Sequence, residues 1–248
     1  MLLTNLADVV RRSGLPVVEI LGWKTRGHGQ FESIESIIDH HTGTPNSIPG
    51  DYPTLKTVRD GRPGLDGPLS QLGLGRSGIV YVIAAGVAWH AGATFEEWQD
   101  NWHAIGIEAE HPGGSAPWPA VQYNAYVRLN RALCDGYDVP YARVRGHKEI
   151  AKPLGRKPDP TFNMPAMRER VRVLKPSTTD KDWFDMATPK EIEDAVAAGV
   201  ATGLRTYFRD FFKDEQGTGD TIWDEAREHQ QKVETALGEI ATAVKGKA

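Results

Sequence analysis

The segment Ala104–Glu110 reads AIGIEAE. Its alternation has the period of a strand, because successive side chains on an extended chain point to opposite faces. Ile105, Ile107 and Ala109 fall on one face, Glu108 and Glu110 on the other. One face is made for a core. The other carries carboxylates, either as a solvated surface, the usual arrangement for such a face, or as part of a site. The period then changes. From Pro119 the residues Val121, Ala125, Leu129, Ala132 and Leu133 recur at helical spacing, with Gly136 near the end, which predicts a helix to Tyr137. Gly78–Ala84 (GIVYVIA) reads as a strand, as do Ile37–Ile38, which carry His40 at their C-terminal end, and Val139–Val144. A short helix over residues 4–13, with Thr4 as N-cap and Leu6, Val9 and Val10 on one face, precedes them, and a helix over 161–174 follows. Residues 43–70, rich in Gly, Pro, Asp and Ser, read as loop except for a helical candidate at Tyr52–Arg59.

The composition of residues 175–181, KPSTTDK, is that of a linker. The expected organisation is a domain over residues 1–175 (core about 33–173), a linker over 176–188 and a helical region over 189–248. That last region reads as two amphipathic helices, one with Val196, Val200, Leu204, Tyr207 and Phe211. They suit a hairpin or a weak homo-oligomer. The formal net charge of −4 gives no basic footprint for a nucleic-acid partner. No run of 18 apolar residues predicts membrane insertion. Asn5, Asp8, Arg11 and Arg12 break the opening apolar stretch, so it does not read as a signal peptide; synthesis in a cytoplasm is expected. The one cysteine, Cys134, lies in an apolar helical pattern and reads as core.

Three segments carry residues of the types that bind zinc: Asp39–His40–His41–Thr42, Gly146–His147–Lys148–Glu149, and Gly155–Arg156–Lys157–Pro158–Asp159–Pro160. A catalytic zinc takes about three neutral His or anionic ligands and leaves a place for water. Singly, each segment is weak, since a lone His is more often hydrogen-bonded or exposed than a ligand. His40 and His41, adjacent on an extended chain, must point to opposite sides. The HExxH pattern of many zinc peptidases is absent.

Taken together and in this order, with Ala88–Trp89–His90–Ala91–Gly92 and Ile105–Gly106–Ile107–Glu108 between them, the segments resemble the type 2 N-acetylmuramoyl-L-alanine amidases. The resemblance runs from about Ser33 to Val173. The stretches GWKTRGHG and LGLGRSGIVYVIAAG are similar to endolysins of phages that infect actinobacteria. The resemblance implies an α/β fold: a mixed central β-sheet of five or six strands flanked by helices on both faces, here with a C-terminal helical segment added. It implies Zn²⁺ held by His40, His147 and Asp159, with Glu108 as catalytic carboxylate and Lys157 beside the oxyanion. It implies bacterial peptidoglycan as substrate, cut between N-acetylmuramic acid and L-alanine, and, for an endolysin made in the host cytoplasm, a separate holin-like membrane permeabiliser. Pro158 stands where Thr is frequent in the family, and the interval from His147 to Asp159 is longer than in several relatives.

Other readings of the same residues are open. A peptidoglycan-binding module of the same fold could lack catalysis, although candidates for every ligand are present. Lys157 could be a surface lysine. Trp89 and His90 could bind substrate or form a packed turn. Trp118, between prolines, fits a core position or a sugar-stacking platform. His103, His111 and His229 read as exposed, and Arg26 and His28 have no assignable role.

Overall fold

The computed structural model describes residues 1–174; the expected linker and helical region, and His229, lie outside the described residues. The chain runs α1 (Leu6–Arg11), β1 (Val17–Glu19), β2 (Ser36–His41), α2 (Leu55–Asp60), β3 (Gly61–Arg62), β4 (Leu65–Asp66), β5 (Leu72–Leu74), β6 (Val80–Val82), β7 (Ala104–Ala109), α3 (Ala120–Tyr137), β8 (Val144–Gly146), α4 (His147–Ile150) and α5 (Met164–Val173). Six strands form one sheet in the order β1-β6-β5-β7-β2-β8, and β3 and β4 pair separately. Only β5 and β6 run antiparallel in the large sheet, so the sheet is mixed as expected.

Strand alternation sorts residues to the two faces. Ile37, Val80, Val82, Ile105 and Ile107 share one core with Leu6, Val9 and Val10 of α1, Leu129 and Leu133 of α3, and Met167 and Val171 of α5. On the other face Tyr81 packs with Leu55 and Val58 of α2, and Ile38 and Ala104 with Ile150 of α4. One face therefore lies under α1 and the two longest helices, α3 and α5, and the other under the short α2 and α4. His40 follows Ile38 at the strand period and emerges on the thinly covered face.

Several boundaries differ from expectation. α1 starts after Asn5, which makes no side-chain cap, and Thr4 is not its cap. Val139–Val144 is not a strand: after Pro140 the chain turns through a 3₁₀ helix, Tyr141–Arg143, and joins the sheet only at Val144. α5 begins later than residue 161 because Asn163 caps it, accepting from the Ala166 N–H at 2.8 Å. α2 starts at Leu55 rather than Tyr52, the strand at 78–84 shortens to β6, and that at 104–110 ends at Ala109. β1 and β5 were not foreseen; with three residues each, they are too short to display a period. Cys134 is buried core, and burial pushes its thiol up to about 12.

Candidate metal centre

The site is built on the central rungs of the sheet. β2 lies between β7 and β8, with His40 opposite Glu108 and Asp39 opposite Gly146. His147, the next residue after Gly146, opens α4 beside His40. Tyr126 of α3 pins this rung from behind: its hydroxyl accepts from the His40 N–H at 2.9 Å and points at the His40 and Ile107 carbonyls at 3.0 and 2.9 Å. Asp39 faces the same way, and its two carboxyl oxygens receive the Asn130 amide at 3.1 and 3.0 Å. His40 and His41 do point apart. His41 turns to the rings of His111 and Trp118, and His40 to those of His90 and His147.

His40, His147 and Asp159 converge, all three buried. His40 Nδ1 lies 3.0 Å from His147 Nδ1, and Asp159 Oδ2 lies 3.3 and 3.1 Å from these two atoms. The outer nitrogen of His147, Nε2, is 3.0 Å from the Ala91 carbonyl oxygen. A carbonyl only accepts, so the proton of a neutral His147 sits on Nε2 and its lone pair on Nδ1. Burial, with His147 close by, lowers the pKa of His40 to about 4, which keeps it neutral near pH 7. Its Nε2 faces His90 Nδ1 at 3.2 Å. With that nitrogen donating, two imidazole lone pairs and a carboxylate oxygen meet with no proton to share. A cation relieves such an arrangement, and the donors are two imidazoles and a carboxylate, a set that suits zinc. The residues present fit the metal.

Glu108 stands beside this triple, its Oε1 4.0 Å from His40 Nδ1. Its Oε2 is buried with no hydrogen-bond partner among the described residues. Burial first, then the charge of Asp159, pushes this carboxyl up to about 8, against the pull of Lys157. Glu110 proves different. It is buried, and it accepts from Thr42 Oγ1 at 3.0 Å and from Thr54 N and Oγ1 at 3.1 and 2.5 Å. The solvated-face reading fails for Glu110, which the approach to α2 covers, while Glu108 is partly buried beside the histidines.

A cleft of about 620 Å³ opens over the cluster, lined by Glu108, His147, Lys157 and Asp159, by Trp89 and His90, and by Arg62 and Arg156. Arg156 ties down the wall, donating to the Ala91 and Ala93 carbonyls at 3.2 and 2.9 Å. His28 stacks on Trp89, centroids 4.3 Å apart, and Arg26 donates to the Ile83 and Leu21 carbonyls, roles that no local pattern shows. Trp118 takes the core reading: it stacks on His111 at 3.9 Å, donates to Thr161 and packs on Phe162. His111 and His103 are buried rather than exposed, His111 under Trp118 and His103 against Asp100 at 2.8 Å.

Residues 30–162, more than half of the chain, match the family described as N-acetylmuramoyl-L-alanine amidase. The chain belongs to this amidase family. No curated protein matches it. Among solved structures, this amidase-family chain is similar to the endolysin N-acetylmuramoyl-L-alanine amidase LysCS from Clostridium intestinale, with 21% identity, 64% of this chain and 98% of that one covered, and a TM-score of 0.48. It is also similar to the E. coli amidase AmiD in complex with an anhydro-muropeptide substrate (20% identity, 62% and 65% covered, TM-score 0.44) and to Drosophila PGRP-LB (18% identity, 56% and 85% covered, TM-score 0.42). No helix among the described residues is long and apolar enough to cross a membrane. Of the residues around the cluster, Asn101, Gly106 and Arg156 were not foreseen. Gly106 and Arg156 lie within the motifs, but nothing in their spacing announces a contact with the site.

Proposed function

We propose that this chain is a zinc-dependent hydrolase that cuts the amide between N-acetylmuramic acid and L-alanine in bacterial peptidoglycan. The observation that carries the reading is the meeting of His40, His147 and Asp159 as three acceptors, with Glu108 beside them, on the floor of an open cleft. Zinc held by those three residues supplies a Lewis acid and a water whose pKa falls to roughly 7. The remaining chemistry belongs to the chain. Glu108, whose Oε2 has no partner among the described residues and whose raised pKa a cation held beside it would draw back down, takes a proton from the attacking water and returns it to the alanine nitrogen as the C–N bond breaks. Lys157, on the cleft wall, brings an ammonium to the oxyanion that forms on the carbonyl. Trp89, backed by His28, offers a flat face to the substrate. A binding module without catalysis has no use for a carboxylate placed like Glu108.

We also read the chain as a phage endolysin, on the similarity of its stretches at residues 22–29 and 72–86 to such enzymes. That reading brings with it a holin-like permeabiliser for access to the wall. The test combines digestion of purified cell wall with metal analysis. New N-terminal L-alanine, intact muramic acid and about one zinc per chain are expected. New reducing sugar ends, or new amino termini within the peptide stem, overturn the assignment.

A further inference from the structure

The two histidines of the cluster are steadied in different ways. His147 donates to a backbone carbonyl, which leaves its proton no choice. Among the described residues, no carbonyl meets the outer nitrogen of His40. It meets another imidazole, His90, and an imidazole nitrogen can donate or accept. Were His90 to donate from Nδ1, His40 would carry its proton on its own Nδ1, the atom aimed at His147 and Asp159. The choice is made one bond further out. His90 Nε2 lies 3.1 Å from the Ala104 carbonyl oxygen and must donate to it, so His90 Nδ1 is an acceptor and His40 Nε2 the donor.

We propose that His90 is a positioning residue that holds the proton of His40 on Nε2 and so keeps the His40 Nδ1 lone pair turned toward a cation between His40, His147 and Asp159. The inference rests on the zinc reading above. The seat of His90 is built for this. At Gly106 a Cβ would come within 2.6 Å of His90 Cγ, so the glycine makes room for the ring against the sheet. Asn101 Oδ1 accepts from the His90 and Ala91 N–H groups at 3.0 and 2.8 Å, fixing at once the residue that orients His40 and the one whose carbonyl orients His147. His90 is only 7% exposed and both its ring nitrogens are engaged, so it borders the cleft without a group to offer substrate. Partners of this kind typically alter metal affinity by about 10–100-fold when lost.

The test uses the full-length chain and zinc alone, with affinity read by competition against a chromophoric chelator. His90→Phe keeps a buried ring but removes the acceptor, and should weaken zinc binding about 10–100-fold. His90→Gln can accept from His40 through its carbonyl and donate to Ala104 through its amide, and should stay close to wild type. Gly106→Ala leaves His90 in place but pushes its ring off the seat, and should weaken binding in the same direction. In the metal-stripped wild type, ¹⁵N NMR should find the protons of both His40 and His90 on Nε2. A His40 proton on Nδ1 overturns the proposal, even if every variant fails to fold. So does unchanged zinc affinity in a folded His90→Phe, and the zinc reading then survives. A wild type that binds no zinc removes that reading and this inference with it.

Discussion

Glu108 and Glu110 lie two residues apart with their carboxylates on the same side of the sheet, and their surroundings predict opposite phenotypes. Glu108→Ala removes a carboxylate whose Oε2 has no partner among the described residues, so folding and zinc content should be kept. Turnover should fall by roughly 10²–10⁴-fold, the scale of a general acid–base group. Glu110→Ala strands three donors of Thr42 and Thr54, with a stability cost of about 1–3 kcal/mol for buried polar groups left unpaired. Thermal melts and turnover measured on both variants separate the two; equal losses of activity without a change in melting at Glu110 would contradict this division. Zinc content divides the histidine pair in the same manner. His147→Ala should lose metal and activity together, whereas His41→Ala should keep its zinc and melt earlier, since its ring packs on His111 and Trp118. Full zinc occupancy in His147→Ala would mean that the ligand set is wrong. At this scale the sequence pointed to the chemistry of His40, His147, Asp159 and Glu108 by residue type and motif order. It could not distinguish Glu108 from Glu110 by pattern, because both occupy the same alternation and differ only in what covers them.

The loop before α2 is held to the β5–β6 hairpin by one buried carboxylate. Asp51 accepts from Ser77 N–H at 2.7 Å and from the Tyr81 hydroxyl at 2.9 Å, and Tyr52 stacks on Tyr81. Burial raises the Asp51 pKa above its ordinary value despite these hydrogen bonds. The folded chain therefore holds this proton more tightly than the unfolded chain. As pH rises from the ordinary carboxyl range of about 4, the unfolded chain releases the proton first, and stability from this residue falls until the folded pKa is passed. Asp51→Asn cannot titrate, so wild type should lose stability relative to it as pH rises above about 4. Urea unfolding of both proteins in chelator, which removes any contribution from a bound metal, reads this difference. A gap that does not change with pH would argue against a raised Asp51. Long elements with a clear period, β7 and α3, were legible in the sequence. β1, β5 and the 3₁₀ turn after Pro140 were not, since three residues carry no period and their pairing depends on a distant strand.

On the scale of the whole molecule, the family match begins at residue 30, but the folded unit does not. Leu3, Leu6, Val9, Val10, Leu15 and Trp23 are buried in the main core, and β1 extends the sheet beyond β6. Burying an apolar side chain contributes about 1.5–3 kcal/mol, so the loss of this set rivals the roughly 5–15 kcal/mol that holds a domain together. A chain beginning at Gln30 should therefore show no cooperative melt by circular dichroism; a sharp transition near that of wild type would show the segment to be dispensable. The opposite end should behave differently. Arg131 donates to the Val171 and Leu174 carbonyls and closes α5 onto α3, so a chain ending at Pro176 should stay folded, bind zinc and hydrolyse small muropeptides. It should differ in wall pull-down or sedimentation, and unfolding on truncation would move the domain boundary. The sequence by itself determined the period of each long element, the order of the motifs and the residue types able to bind metal, because all of these are carried by neighbours along the chain. Only the tertiary structure decided that His40 meets His147 across 107 residues, that His90 lies against His40, and that residues 1–29 contribute to the core. Those outcomes depend on the β7-β2-β8 strand order and on what buries each side chain, and a local pattern encodes neither.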